Sequence, residues 1–126
     1  MSTPTPYARA RGLGSAKSGV RHWWLQRLTS VALIPLLLVL LAMVVCLVGV
    51  SHAEAVDMLG RPWVAGVLVL SLLATCWHMQ LGMQVIIEDY VHSEGWKVAA
   101  LAANSFFCVL VALAGLWAVL KLAFGG

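Results

Sequence analysis

The sequence predicts an all-α membrane protein with three transmembrane helices. Hydrophobic residues fill 62% of its 126 positions and charged residues only 10%, whereas soluble domains are about 45–50% apolar and about 25% charged. Three uncharged runs follow one another along the chain: Leu28 to Val50, Pro62 to Ile87, and Val98 to Leu120. Each run reaches the roughly 20 apolar residues that a spanning helix needs. Alternating segments of about 10 residues, typical of transmembrane strands, do not occur.

These runs predict helices over about residues 24–50, 62–89 and 97–122, within one transmembrane domain formed by residues 20–126. Residues 1–19 are rich in Ser, Thr, Pro, Gly and Ala, so we expect a mobile basic segment there. The first run resembles a secretory signal, with a basic start and the triplet Ala53-Glu54-Ala55 after it. Because signal cores have only about 7–15 apolar residues, we expect this longer run to be retained.

The basic residues predict the orientation of the chain. The loop from Ser51 to Arg61 has one basic residue against two acidic ones, whereas five basic residues precede the first apolar run: Arg9, Arg11, Lys17, Arg21 and Arg27. By the positive-inside rule the N-terminus is cytoplasmic and the C-terminus lies on the opposite side of the membrane. This cluster also accounts for the net charge of +3, so we expect contact with membrane lipid and not with nucleic acid.

His78 is the one ionisable side chain deep inside a predicted span. It lies eleven residues before Asp89, which is roughly 16 Å along a helix and close to the midplane of the bilayer. An ionisable group at that depth is a functional-site hypothesis by default. It could bind a metal or haem, relay protons, or make a structural hydrogen bond to a neighbouring helix.

The residues around His78 favour haem over zinc. Its helical stripe has mostly small residues, including Ser71, Thr75 and Gly82, which would let another helix or a flat macrocycle approach closely. Zinc needs three or four clustered ligands, and the other histidines fall at or outside the predicted helix ends. A second axial haem ligand must therefore come from a partner chain.

Anionic haem propionates need basic partners near a membrane face. Arg27 is the first candidate, with Arg21 and His22 behind it. All three could equally serve only as charges that set the topology and contact lipid headgroups.

Asp89 and Tyr90 end the second predicted helix. A phenol there can be an ordinary interfacial aromatic residue. Beside ionisable groups it also offers a hydrogen-bond donor to a quinone carbonyl, which takes up protons as it accepts electrons.

The pattern His78-x3-Gly82-Met83-x5-Asp89-Tyr90 resembles the second helix of the hydrophobic membrane-anchor subunits of bacterial succinate dehydrogenase, respiratory complex II. The Gly19-Val20 pair and the segment from Trp24 to Ser30 are similar to the same family. The likeness extends over nearly the whole chain from Gly19, including helix number and loop lengths.

The resemblance implies a heterotetramer of the tricarboxylic acid cycle and the electron transport chain, in a bacterial cytoplasmic (inner) membrane and with the C-terminus of this chain periplasmic. In such a complex a flavoprotein oxidises succinate, an iron-sulfur protein passes electrons to ubiquinone, and two membrane anchors share one haem b. His78 then matches an axial ligand, with the other axial His on the second membrane anchor. Tyr90 matches the tyrosine that binds a quinone oxygen, Asp89 the neighbouring acid, and Arg27 a basic residue near the propionates. This chain would perform no dicarboxylate chemistry, and Gln80 and Gln84 match no family function.

Two other functions remain open from the sequence. One is a haem-free or menaquinone-linked anchor of the fumarate reductase type, in which His78 only makes a structural hydrogen bond. The other is a non-redox membrane scaffold or small transporter component, in which the line from His78 to Asp89 would carry protons. A transporter predicts further buried acids within the helices, and the three runs have none.

Overall fold

The computed structural model describes residues 17–125, with side chains described from residue 19 onwards. This part of the chain forms four helices, α1 (Lys17–Cys46), α2 (His52–Gly60), α3 (Pro62–Tyr90) and α4 (Glu94–Phe124). Three of them, α1, α3 and α4, are long and apolar enough to cross a membrane. The predicted fold class of three spanning helices is therefore confirmed. The predicted mobile segment lies outside the described residues, except for residues 17–19, which begin α1.

α1 begins earlier and ends earlier than its apolar run suggests. Its 30 residues extend over about 45 Å, enough to cross the hydrocarbon core and continue through the headgroup layers. Pro35 lies inside α1 without ending it. The helix ends at Cys46 and is followed by a turn in which Gly49 has a φ of 82°. Glycine adopts this left-handed conformation without the penalty of a Cβ, which explains why the apolar run stops being helical before Val50.

α2 occupies the segment between the first two spans, where the apolar pattern alone predicts a loop. Ser51 caps its N-terminus, and Glu54 completes a capping box by accepting hydrogen bonds from the backbone N–H and hydroxyl of Ser51, both at 2.8 Å. These bonds stabilise the carboxylate and lower the pKa of Glu54. Arg61 then separates α2 from α3, which begins at Pro62 because proline suits the first turn of a new helix.

α3 is the central helix of the domain. It packs against both α1 and α4, whereas α1 and α4 do not pack on each other within residues 17–125. In its apolar stretch 28% of residues are buried, compared with 6% in each of α1 and α4. The outer faces of α1 and α4 therefore present large apolar side chains to lipid or to other chains.

Gly60, the last residue of α2, allows α2 to approach α4 closely. A Cβ at this position would lie 2.7 Å from the backbone oxygen of Leu122. A backbone atom of a long helix cannot move aside as a flexible side chain can, so this contact requires glycine.

We expect Gly60→Ala to destabilise the protein by about 1–3 kcal/mol through overpacking. The measurement is the thermal unfolding midpoint of the purified protein in detergent. Gly66→Ala is the matched control, because a Cβ at Gly66 meets nothing within 4 Å. Equal midpoints for both variants would contradict the close contact between α2 and α4.

Candidate functional site

His78 lies in the middle of α3 and faces α1. Its imidazole is half-buried, and its Nδ1 is 2.9 Å from the hydroxyl oxygen of Thr29. The Thr29 hydroxyl is also 2.8 Å from the backbone oxygen of Leu25, one turn earlier in α1. Nε2 of His78 makes no hydrogen bond to any residue between 17 and 125. One ring nitrogen is thus engaged by the neighbouring helix, and the other is free to bind a ligand.

Gly82 lies one turn from His78, at a close approach of α3 to α1. A Cβ on Gly82 would meet the side-chain Nε2 of Gln26 at 3.5 Å. A side chain of α1 therefore lies beside Gly82.

A polar stripe on α1 faces this part of α3, and we define it as His22, Gln26 and Thr29. Their spacing places all three on one face of a helix. Nε2 of His22 and Oε1 of Gln26 are buried, and neither has a hydrogen-bond partner among the described residues. Gln26 and Thr29 were not among the residues predicted from sequence, although polar side chains at helical spacing within an otherwise apolar helix could have indicated them.

Ser71 and Thr75 precede His78 in α3 and line a groove that His78 does not reach. Ser71 is only 2% exposed, and its hydroxyl donates to the backbone oxygen of Val67 at 2.7 Å. Both side chains line a groove of about 280 Å³ that also includes Leu40 of α1 and Gly115 of α4. His78 does not line this groove.

Arg21 and Arg27 are exposed near the start of α1. Arg27 lies two residues before Thr29, which puts it about 200° around the helix from the face that meets His78. Its guanidinium carbon is 5.3 Å from the centre of the Trp23 ring, a cation–π contact. Of the three predicted basic partners, only His22 shares the α1 face that meets α3.

Asp89 and Tyr90 end α3 and are exposed, with Tyr90 at 77%. The neighbouring Glu88 accepts a hydrogen bond of 2.7 Å from the amide of Gln84. Among the side chains that the structure describes, those of residues 19–125, Asp89 has no hydrogen-bond or ion-pair partner, unlike Glu88. The structure thus holds His78 and the pair Asp89-Tyr90 on one helix but at separate depths.

Gln80 has a structural role on the other side of α3. Its amide donates to the hydroxyl of Ser105 at 3.2 Å, and its backbone oxygen accepts from the amide of Asn104 at 3.1 Å. These bonds join α3 to α4. Gln80 thus faces α4, whereas His78 faces α1 on the other side of α3.

No group of three or more His, Cys, Asp or Glu side chains comes together within residues 17–125. A cavity of about 590 Å³ lies between α2 and the C-terminal part of α4, and no predicted site residue lines it. The described part of the chain therefore offers His78 as a single ligand and not as a member of a metal-binding cluster.

Known proteins resemble this chain over most of its length. The model of the succinate dehydrogenase/fumarate reductase transmembrane subunit family matches residues 1–114. A succinate dehydrogenase hydrophobic membrane anchor subunit from Rickettsia bellii (strain RML369-C) is 33% identical over 88% of this chain and 89% of its own length. The corresponding protein of Paracoccus denitrificans is 30% identical over 96% of this chain and 93% of its own.

A succinate dehydrogenase membrane anchor subunit from Reclinomonas americana is 38% identical over 68% of this chain and 73% of its own length. No solved structure matches the chain. With a family model that covers most of the sequence and three long apolar helices in the structure, the chain belongs to the succinate dehydrogenase/fumarate reductase transmembrane subunit family.

Proposed function

We propose that the protein is the membrane-anchor subunit of a bacterial succinate:ubiquinone oxidoreductase, complex II, in the cytoplasmic membrane. Its partners are a flavoprotein, an iron-sulfur protein and a second membrane anchor. The observation that carries this proposal is His78, whose Nε2 is free in the central helix of a chain from this family. The N-terminus of the chain faces the cytoplasm, as the five basic residues that precede the first apolar run indicate.

The residues around His78 fit a haem b shared with the second membrane anchor. His78 would hold this haem through Nε2, the imidazole nitrogen that Thr29 leaves free, since histidine is a common ligand of haem iron. A histidine of the partner anchor would supply the second ligand. When bound, the haem stores one electron between the iron-sulfur protein and the quinone.

His22 is the residue of α1 best placed to hold a propionate. Its Nε2 is buried and unpartnered within the described chain, on the same face as Thr29. Arg27 would have to leave the Trp23 ring to take the same role. Arg21 is exposed and remains available to lipid phosphates.

The end of α3 forms one wall of the quinone site. Reduction of a quinone to a quinol takes up two electrons and two protons, so the site needs a hydrogen-bond donor and a route for protons. The exposed Tyr90 hydroxyl donates to a quinone carbonyl oxygen, and Asp89 exchanges protons with the water phase. The second membrane anchor and the iron-sulfur protein complete the pocket and deliver the electrons.

The free nitrogen of His78 predicts the effect of its removal. We expect His78→Ala to abolish or strongly shift the absorbance of the b haem in the purified complex, because one axial ligand is lost. His52→Ala is the control, since His52 is exposed beyond the end of α1 and should leave the spectrum unchanged. An unchanged bis-histidine spectrum in His78→Ala would remove the ligand assignment.

The position of Tyr90 predicts a selective loss of quinone reduction. In Tyr90→Phe we expect a roughly 10-fold lower rate of ubiquinone reduction, about the loss of one hydrogen bond of 1–1.5 kcal/mol. Succinate oxidation by an artificial soluble acceptor should stay intact, because that reaction does not use the membrane site.

Trp96→Phe is the matched control, as Trp96 is another exposed aromatic residue near the same end of the helices. Equal loss of both activities in Tyr90→Phe would indicate failed assembly and contradict a role in the quinone site.

The main alternative is a haem-free anchor of the fumarate reductase type. One observation favours it, namely that His78 already makes an interhelical hydrogen bond to Thr29, as a purely structural histidine would. The two functions differ in whether the copurified complex has a b-haem spectrum that depends on His78.

A further inference from the structure

We propose that Thr29 is a positioning residue for His78: its hydroxyl sets the tautomer and holds the ring orientation of the imidazole, so that Nε2 keeps its lone pair for a ligand. The orientation follows from the contacts described above, and its use in haem binding rests on the proposed function.

The direction of the hydrogen bond follows from the proton count of the Thr29 hydroxyl. A hydroxyl has one hydrogen to donate and lone pairs with which to accept. The backbone oxygen of Leu25, at 2.8 Å, and that of Gln26, at 3.1 Å, are both acceptors without a hydrogen of their own. The hydroxyl hydrogen therefore points back along α1, and its oxygen accepts from the N–H at Nδ1 of His78, 2.9 Å away.

A proton on Nδ1 fixes the state of the other ring nitrogen. In neutral imidazole only one nitrogen has the hydrogen, so Nε2 keeps its lone pair. That lone pair is what binds a metal, and a second partner at Nδ1 commonly holds a ligating histidine in place. Thr29 provides this partner from a different helix.

The same bond also links the ligand site to the packing of α1 on α3. The side-chain Nε2 of Gln26 lies 3.5 Å from the position that a Cβ on Gly82 would take, one turn from the Thr29–His78 pair, so Gln26 and Thr29 both place α1 beside this part of α3. The neighbouring Ser30 offers a control for the Thr29–His78 contact. Its hydroxyl donates to the backbone oxygen of Gln26 at 2.7 Å and makes no hydrogen bond to His78.

The test compares Thr29→Val, Thr29→Ser and Ser30→Ala in the purified complex. In Thr29→Val the hydroxyl is lost at nearly constant volume, and we expect about 10–100-fold weaker retention of haem, the usual effect of losing such a partner. We also expect a higher midpoint potential in the haem that remains, because an imidazole without an acceptor at Nδ1 donates less charge to ferric iron. Thr29→Ser and Ser30→Ala should both match the wild type in haem retention, midpoint potential and low-spin electron paramagnetic resonance signal.

Thr29→Cys keeps the test decisive if the valine variant fails to assemble. A thiol is a weak acceptor, so this variant should have a midpoint potential above that of the wild type and a changed resonance signal. A wild-type potential and signal in Thr29→Cys or Thr29→Val would overturn the proposal, even if the yield of complex fell. That result is distinct from failure of the proposed function, in which His78→Ala itself would keep the bis-histidine spectrum.

Discussion

Hydrocarbon offers no hydrogen bonds, and this constraint decides where every polar side chain of the three spans can lie. The backbone meets it by forming helices. Ser30, Ser71 and Ser105 meet it by donating to backbone oxygens of their own helices, at 2.7–3.0 Å. Longer polar side chains need partners on a neighbouring helix, and they determine which faces of the helices can meet.

α3 has such side chains on two sides, which explains its central position. On one side Gln80 bonds to Ser105 and Asn104 of α4, and on the other His78 bonds to Thr29 of α1. An interhelical hydrogen bond in a membrane contributes only about 0.6 kcal/mol on average. These bonds therefore select the register of the helix pairs, while close packing of apolar side chains provides most of the attraction.

The sequence was sufficient for the number and type of the spanning helices, because length and apolarity determine both. α2 was missed although Ser51 and Glu54 have capping-box spacing, since the surrounding residues were interpreted only as an imitation of a signal cleavage site. The partnership of Thr29 with His78 could not be predicted in the same way. It depends on how far α1 is shifted along α3, a quantity that arises from packing and has no local signature in either helix.

Both candidate sites, His78 and the pair Asp89-Tyr90, have polar groups without a partner in the described part of this chain. Among the side chains of residues 19–125, His78 has a helix partner for one nitrogen and none for the other, and Asp89 has no partner. A free imidazole nitrogen near the midplane of a bilayer costs free energy unless something binds it. The exposed apolar faces of α1 and α4 are consistent with other chains packing there. In the proposed complex, a ligand at Nε2 that is shared with the second membrane anchor would remove this cost, so ligand binding and assembly would favour each other.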